Sequence, residues 1–344
     1  MDFIDLTQFD TKLTADVCEW QPFPFSNSSS KLACATYFLN KETNQRSGCL
    51  YLISYDSIKN ELNQIQKINY ESSGILDMKW ISDNEIMTLD SNQNIELFKY
   101  EDGSLTSKAS KSFLNEENNS VATVGLTFDY CSSNESKIVT GNSKGTLNVI
   151  DAKNMLLNAQ FNAHEFEIWS VYMCRHDNNI VYSGADDCLL KMWDLRDTER
   201  AKLKCSLFDG GVTQIQGPYY YSSNGGSLIK NFNENNLLCS SYDEQIYVLD
   251  KRNLKNFIKK SKKLGGGVWK MRVNEDNLIL CACMHTGVHV VDLKDLESKL
   301  YYDKHGLNNL AYGCDWLKTR DSKEYLTATC SFYNHELRVW KLKY

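Results

Sequence analysis

Proline is nearly absent from this 344-residue chain, which has only three. A proline-rich linker is therefore excluded. No apolar run approaches the length of about 20 residues that a transmembrane helix needs. The first residues, MDFIDLTQFD, carry acids where a secretory signal carries basic residues, and no apolar segment follows them. We therefore expect a soluble, cytoplasmic protein with no membrane partner.

The chain also lacks an excess of basic charge. It contains 38 lysines and arginines against 44 aspartates and glutamates, and its net charge is −6. Nucleic acids and anionic membranes attract proteins with a basic face, so the composition argues against direct binding to either. Apolar residues make up 42% of the chain, which is enough for a large core and excludes disorder of the whole chain.

The twelve cysteines mostly lie inside apolar segments such as LILCACM. Without a secretory signal, free thiols in a reducing compartment are the expected state. Cys281, Cys283 and His285 occupy alternate positions, and alternate residues of a strand share one face. A zinc site is one interpretation of this spacing. A buried strand that uses small residues is the other.

Short alternating runs rich in β-branched and aromatic residues fill the chain, separated by clusters of Gly, Asn, Asp and Ser. One type of strand recurs seven times, as LYLIS, IELFK, LNVID, LKMWD, IYVLD, VHVVD and LRVWK. Successive copies are 42 to 56 residues apart, and the best copy carries the pair Trp193–Asp194. Four-stranded propeller blades have this period. The sequence therefore predicts an all-β fold, a seven-bladed WD-repeat β-propeller that forms a single domain over residues 1–344.

A closed ring needs a partner strand for its last blade, because an open edge invites pairing with other chains. The last blade ends at its third strand, LRVWKLKY, so its outer strand is missing. We predict that the segment from Met1 to about Lys12 supplies this strand and closes the ring. The longest irregular piece, Glu101 to Ser120, is predicted to be a polar surface excursion of the second blade.

The fourth blade is the most complete copy of the repeat. His164, Ser183, Asp187 and Trp193 occupy the places of a buried hydrogen-bonded set that is typical of WD repeats. A histidine, a serine and an aspartate also form the catalytic triad of serine hydrolases. The spacing within the blade favours the structural interpretation.

A second pattern points to serine chemistry. Residues 141–145, GNSKG, match the G-x-S-x-G motif of serine esterases. That motif works at a sharp turn from a strand into a helix, whereas the following TLNVID predicts a strand. Ser143 therefore lacks the context of a nucleophile, although it falls on the same rim of the ring as the other candidates.

Several segments go beyond what blade geometry requires, among them SYDE, GGVW, ACMHTG and ATCSFYNH. Together with LTADVCEW and LACATYFL, they resemble the diphthine methyl ester hydrolase family of WD-repeat proteins, also called diphthamide biosynthesis protein 7. The resemblance implies that the chain removes a methyl ester from over-methylated diphthine on translation elongation factor 2, a late step in making diphthamide. A non-catalytic WD-repeat scaffold is the alternative, since propellers host both roles.

The resemblance also sets expectations about partners and cofactors. Elongation factor 2 is the expected protein substrate, and we expect the chain to act as a monomer. No G-x-G-x-x-G loop followed by a helix occurs in the sequence, so we expect no nucleotide cofactor.

Blade register places a group of aromatic residues on one rim of the ring. First strands contribute Trp169, Trp269 and Tyr312, and turn positions contribute Asp186, Tyr242 and Tyr333. Rim aromatics are typical of a surface that binds a protein partner. They are also suited to the trimethylammonium group of diphthine, which cannot donate hydrogen bonds and is held best by aromatic faces. The charge of Asp186 would add long-range attraction.

Ester hydrolysis needs an activated water or nucleophile, and donors for the oxyanion. His285 is the first candidate for the base, because it replaces the usual turn aspartate and a neutral imidazole can take a proton from water. The alternative is that His285 only caps its turn. His335, next to the corresponding turn position of the seventh blade, is the second candidate. Glu244 is predicted to orient a histidine or the substrate, and its neighbour Asp243 is expected to be structural.

Overall fold

Seven antiparallel sheets, arranged as the blades of a β-propeller, make up the computed structural model. It describes residues 1–22, 29–113, 123–132, 135–220, 227–229, 232–306, 308–319 and 323–344. Within these ranges, no helix is long and apolar enough to cross a membrane. The predicted all-β fold class and the number of blades are confirmed.

The strands are numbered in chain order, and strand β1 (Asp2–Asp10) belongs to the last blade. Blade one contains β2 (Ala15–Trp20), β3 (Ser29–Thr36), the short β4 (Phe38–Asn40), β5 (Gln45–Asp56) and β6 (Glu61–Tyr70). Blade two contains β7 (Ile75–Trp80), β8 (Glu85–Asp90), β9 (Asn94–Glu101) and β10 (Ser104–Ser112). Blade three contains β11 (Gly125–Cys131), β12 (Lys137–Asn142), β13 (Thr146–Asp151) and β14 (Leu156–Asn162).

The remaining four blades repeat this order. Blade four contains β15 (Ile168–Met173), β16 (Ile180–Ala185), β17 (Leu190–Asp194) and β18 (Leu203–Cys205). Blade five contains β19 (Val212–Gln216), a short hairpin of β20 (Tyr219–Tyr220) and β21 (Ser227–Leu228), then β22 (Asn236–Ser241), β23 (Ile246–Asp250) and β24 (Asn253–Lys260). Blade six contains β25 (Lys270–Val273), β26 (Leu278–Ala282), β27 (Val288–Asp292) and β28 (Glu297–Tyr302). Blade seven contains β29 (Ala311–Lys318), β30 (Glu324–Ser331), β31 (Glu336–Lys343) and β1.

The N-terminal strand closes the ring, as predicted. Strand β1 pairs antiparallel with β31, from Asp2 opposite Lys343 to Asp10 opposite Glu336. The ring of Phe3 packs edge-on against Tyr302 and Trp340 of blades six and seven, at centroid distances of 5.0 and 6.1 Å. Strand β1 therefore adds side-chain packing between two blades as well as a row of backbone hydrogen bonds.

Phe3→Ala should lower the free energy of unfolding by about 2–3 kcal/mol, because it removes a half-buried ring that packs on two aromatics. The matched control is Ile4→Ala on the same strand, whose side chain is 42% exposed and which should cost less than about 1 kcal/mol. Urea denaturation of both variants measures the difference. Equal losses would show that the packing of β1 does not hold the ring closed.

The outer strand of blade two lies where the sequence indicated irregular chain. Strand β10 pairs with β9 along its length, so the prediction of an irregular piece was wrong for Glu101–Ser112. The strand has no apolar alternation because most of its residues are exposed at the outer edge of the blade. Residues 114–120 of that prediction lie outside the described residues.

Neighbouring blades are joined by polar side chains of their innermost strands. At six of the junctions, such a side chain accepts a hydrogen bond from a backbone N–H of the next innermost strand. The acceptor–donor pairs are Glu19–Trp80 (2.9 Å), Asp77–Phe128 (3.0 Å), Asp129–Met173 (2.8 Å), Ser170–Ile215 (2.9 Å), Asp315–Trp20 (2.7 Å) and Gln214–Met271. A buried N–H needs such a partner, so these side chains fix the position of each blade relative to the next along the axis of the ring.

Cations also bind these carboxylates in the central channel. Lys270 Nζ lies 3.3 Å from Asp77 Oδ1 and so connects blade six to blade two across the channel. Arg272 forms ion pairs with both Glu19 and Asp315, which come from blades one and seven. Buried charges are stable only when they are paired, and these contacts neutralise most of the acids of the channel.

Candidate functional site

The four polar residues of blade four form one hydrogen-bonded chain, the blade-four tetrad. Trp193 Nε1 donates to Ser183 Oγ at 2.9 Å, and Ser183 Oγ lies 2.7 Å from His164 Nε2. His164 Nδ1 lies 2.8 Å from Asp187 Oδ2. Burial lowers the pKa of His164, so the imidazole stays neutral. A catalytic triad makes the same Ser–His–Asp contacts, so the burial of the serine decides between the two interpretations. Ser183 is fully buried and its Oγ also accepts the Trp193 N–H, so no substrate reaches it, which supports the structural interpretation.

Blade seven contains the same arrangement without its acid. His305 Nε2 lies 2.8 Å from Thr329 Oγ1, which also accepts a hydrogen bond from Trp340 Nε1 at 3.2 Å. Asn334 takes the place of the aspartate, and His305 Nδ1 has no hydrogen-bond partner among the described residues. Burial, with a smaller effect of Arg338, lowers the pKa of His305 to about 3.

Asn334→Asp should complete this second set. A carboxylate at the turn would accept the hydrogen bond that His305 Nδ1 lacks, and a hydrogen bond to a charged group contributes about 1.5–3 kcal/mol. We expect a gain of about 1–2 kcal/mol in the free energy of unfolding after the cost of burying the charge. Thermal unfolding of both proteins at pH 7 measures it. A loss of stability would contradict the equivalence of the two blades.

Six aromatic side chains form a continuous row on one rim of the channel. Trp269 occupies its centre. The ring centroids of its neighbours Trp169, Tyr242 and Tyr312 lie 4.9 to 5.6 Å from its own. The row continues from Tyr312 to Phe332 at 5.1 Å and from Phe332 to Tyr333 at 5.3 Å. The members of this aromatic row are Trp169, Tyr242, Trp269, Tyr312, Phe332 and Tyr333. The structure thus brings together all five aromatic residues that the sequence selected, and it adds Phe332.

Local backbone features position the row. Trp169 lies at a register shift between Ile168 and Ser170, and Tyr312 lies in a similar shift that follows Ala311. Such bulges turn a side chain out of the regular alternation. The loop before Trp269 contains three glycines, and a Cβ on Gly266 would lie only 2.2 Å from the carbonyl oxygen of Cys283. Glycine is therefore required for the loop to pass beside the row.

A negative charge lies at one end of the aromatic row. Asp186 is exposed, and its Oδ1 accepts a hydrogen bond from Trp169 Nε1 at 3.1 Å. Burial and the nearby charge of Asp186 raise the pKa of Tyr242, which therefore keeps its proton. Aromatic faces beside a carboxylate attract cations, and a quaternary ammonium group suits them best.

The three catalytic candidates from the sequence do not contact one another. His285 is exposed and has no hydrogen bond or ion pair to any described residue, so no turn cap is formed by its side chain. The Oε2 atom of Glu244 lies 3.9 Å from Nζ of Lys263. His335 adopts a left-handed backbone with φ 57°. Its carbonyl accepts hydrogen bonds from Thr11, at the end of β1.

Asp243, Ser143 and the cysteines have structural contacts. Asp243 accepts a hydrogen bond from the Tyr247 hydroxyl at 2.7 Å. Ser143 Oγ accepts one from the backbone N–H of Val124 at 2.9 Å. Strand β13 follows Ser143, so the turn into a helix that an esterase motif requires does not occur.

The spacing of Cys281, Cys283 and His285 does not produce a metal site. Strand β26 ends at Ala282, so His285 lies in the following turn and is exposed while both thiols are buried. No group of three or more His, Cys, Asp and Glu side chains that could hold a metal ion occurs in the described part of the chain. All twelve cysteines are free thiols in the structure.

Sequence reasoning missed a carboxyl at the mouth of the channel. Asp16 lies at a register shift between Ala15 and Val17, is 7% exposed and has no hydrogen-bond partner among the described residues. Burial raises its pKa well above the ordinary value. Burial also raises the pKa of Tyr312 in the aromatic row, and the charge of Asp16 adds to that shift. An aspartate inside the otherwise apolar start of ADVCEW was the available signal.

The sheets, the ring closure and the blade-four tetrad define the class of the protein, a seven-bladed WD-repeat β-propeller. The family model of the WD domain, G-beta repeat, matches residues 156–194, which span β14 to β17. A solved structure described as the mitotic checkpoint complex contains a similar fold, with a TM-score of 0.70 and 12% identity over 99% of this chain and 95% of that one. This likeness concerns the fold alone.

Curated proteins named for diphthine match most of the chain, two of them as follows. It is 29% identical over 347 residues to diphthine methyltransferase of Mus musculus, which covers 90% of this chain and 69% of that protein. It is 27% identical over 377 residues to the diphthine methyltransferase homolog of Dictyostelium discoideum, which covers 95% of this chain and 96% of that protein. The similarity therefore extends well beyond the single matched repeat.

Proposed function

We propose that the chain is a carboxylic ester hydrolase of diphthamide biosynthesis. It removes the methyl ester from over-methylated diphthine on translation elongation factor 2 and leaves diphthine, acting in the cytoplasm. The aromatic row beside Asp186 carries the proposal, because diphthine bears a trimethylammonium group that aromatic faces bind well. The names of the similar proteins, which contain the word diphthine, support the same substrate.

The second part of the proposal is that the chain removes a methyl group by hydrolysis and does not add one. The names of the relatives say methyltransferase, whereas the motifs SYDE, GGVW and ACMHTG resemble a family that hydrolyses the ester. Hydrolysis requires a base that takes a proton from water. His285, which is exposed and contacts no described residue through a hydrogen bond or ion pair, is the candidate from the sequence, with His335 and Glu244 as further candidates.

The aromatic row would act by binding and orientation. Contacts of the trimethylammonium group with Trp269 and its neighbours hold the short modified side chain at the rim, and Asp186 contributes attraction over a longer range. Holding the ester at a fixed place converts attack by water into an effectively unimolecular step. The exposed Tyr333 and Tyr242 provide contact area for the protein substrate.

Mass spectrometry of methylated elongation factor 2 tests the proposal against a scaffold role. With the purified chain at a small fraction of the substrate concentration, we expect the diphthine residue to lose its methyl ester over many turnovers. A scaffold would form a complex with elongation factor 2 and leave its mass unchanged, and that result would contradict the proposal.

A further inference from the structure

Asp16 is a buried carboxyl that the fold does not use. The other acids of the channel, Glu19, Asp77, Asp129 and Asp315, each accept a backbone hydrogen bond from a neighbouring blade and lie beside a cation. Asp16 is as well buried, at 7% exposure, but it accepts no hydrogen bond from any described residue. Its oxygens are not among the buried atoms that lack a partner, so they keep access to the space of the channel. No contact with a neighbouring blade explains an acid at this position.

The register of the innermost strands places Asp16 at the level of the aromatic row. In β2 it is the residue left unpaired between Ala15 and Val17, as Trp169 is in β15. Tyr312 occupies the corresponding shift in β29, which neighbours β2 in the ring. The innermost strands of six blades have such a register shift, and the residue left unpaired there is an aromatic ring in two of them and a carboxyl in one.

The charge of one channel cation, Lys270, acts on this carboxyl. Lys270 follows Trp269 directly, and its Nζ lies 3.3 Å from Asp77 Oδ1. The charges of Lys270 and Asp77 both act on Asp16, with opposite effects on its ionisation. An ammonium group has three N–H donors, and the hydrogen bond to Asp77 uses one of them. Lys270 therefore has donors left for an oxygen that becomes negative.

We propose that Asp16 is the base that activates water in the ester hydrolysis, with Lys270 as a donor to the oxyanion. This inference rests on the proposed function. The Asp16 carboxylate takes a proton from water, and the hydroxide forms a bond to the ester carbonyl carbon. When the tetrahedral intermediate collapses, the bond to the methoxy oxygen breaks, and methanol leaves with the proton that Asp16 returns. The new carboxylic acid then releases its own proton to solvent.

The geometry favours Asp16 over His285 for this role. His285 occupies the same turn position as Asp187 of blade four. The Asp187 side chain contacts His164 and not the aromatic row. Asp16, by contrast, is close enough to the row to act on Tyr312. A trimethylammonium group held on the aromatic faces would place its neighbouring ester next to Asp16.

The test compares Asp16→Asn with Asp129→Asn, a matched control on an innermost strand of another blade. Asp16→Asn should lower kcat by about 10²- to 10⁴-fold while substrate binding changes little. It should melt at the same temperature as the wild type or higher at pH 8, because an ionised Asp16 destabilises the fold. Asp129→Asn should melt lower, because Lys79 and Arg175 lose their partner. Its turnover per folded molecule should stay within about threefold of the wild type.

The pH dependence of kcat/KM provides a second readout. Asp16 must be ionised to act as a base, so the rate should fall as the pH drops through its pKa. The titratable groups that interact with it are Lys270, Asp77, Cys330, Cys34 and Tyr312. Because burial raises the pKa of Asp16, this acid limb should lie above the ordinary aspartate range near 4. Asp16→Asn should lack the limb.

The outcomes separate the inference from the proposed function. A wild-type chain that hydrolyses no ester overturns both. An active wild type together with an Asp16→Asn variant that keeps more than a third of its rate overturns only the role of Asp16, as does loss of activity in His285→Ala alone. An Asp16→Asn variant that fails to fold also overturns it, because the carboxyl would then serve the fold.

Discussion

Arg272→Ala is expected to lower the free energy of unfolding by about 3–5 kcal/mol, because it leaves two mostly buried carboxyls without their cation. Arg272 Nε lies 3.6 Å from Asp315 Oδ1, and the guanidinium also contacts Glu19. These two acids accept backbone hydrogen bonds at the junctions of blade one with its neighbours. Loss of the cation therefore weakens two junctions at once. Urea denaturation of the variant and the wild type measures the loss.

The same variant should show a characteristic pH dependence. Burial raises the pKa of Asp315 to about 7, although the charge of Arg272 opposes the shift. A group whose pKa is raised on folding stabilises the protein at low pH and loses this contribution as the pH rises through the folded value. Without Arg272, both carboxyls can still take up protons at pH 5 but are charged and unpaired at pH 8. The loss should therefore be larger at pH 8.

Arg252→Ala is the matched control for this prediction. Arg252 pairs with Asp250 at 2.6 Å, but its side chain is 65% exposed, and water screens such a pair so that it contributes little to stability. Similar losses in the two variants, or a loss in Arg272→Ala that does not depend on pH, would contradict the role of the channel network.

Trp269→Ala should weaken the binding of trimethylated substrate by about 5- to 30-fold. The indole is the central member of the aromatic row, and a cation on a partly desolvated aromatic face gains about 1–2 kcal/mol. Peptides that carry the modified histidine with and without its N-methyl groups provide the comparison. The wild type should prefer the trimethylated peptide, and the variant should lose most of that preference.

Tyr301→Ala is the control for this experiment. Tyr301 is an aromatic residue of the same blade, is 42% exposed, and lies on the outermost strand β28 outside the aromatic row. Its removal should leave the preference unchanged. If Trp269→Ala also keeps the full preference, the aromatic row does not bind the ammonium group.

Much of the fold could be predicted because a propeller repeats one local pattern. Strands such as LKMWD and IYVLD alternate apolar and polar residues and return at a regular period, so the blades can be counted from the sequence. Strand β10 escaped detection because an exposed outer strand needs no apolar face, and its pairing with β9 leaves no trace in LTSKASK. Closure by β1 could be predicted because the last blade had only three strands.

The site could be predicted only in part, for a related reason. Residues at equivalent positions of successive blades are expected on the same rim. Trp169, Trp269 and Tyr312 could be grouped in this way. The acids of the channel carry no such periodic signal. Glu19, Arg272 and Asp315 are far apart in the sequence, and only the closed ring brings them into contact. Asp16 could not be predicted because the feature that distinguishes it is that it accepts no hydrogen bond from any described residue, and the sequence does not show hydrogen bonds.

The most direct measurement is the hydrolysis of methylated elongation factor 2 in water labelled with oxygen-18. Attack of water on the ester carbonyl predicts one labelled oxygen in the carboxylate of diphthine and an equal amount of unlabelled methanol. Wild-type chain should produce both over many turnovers, and Trp269→Ala should do so more slowly at low substrate concentration. Loss of the methyl group without label in the carboxylate would show that the methyl–oxygen bond breaks, with the methyl group passing to water or to another acceptor, and would contradict attack at the carbonyl. No loss at all would show that the chain is not the hydrolase.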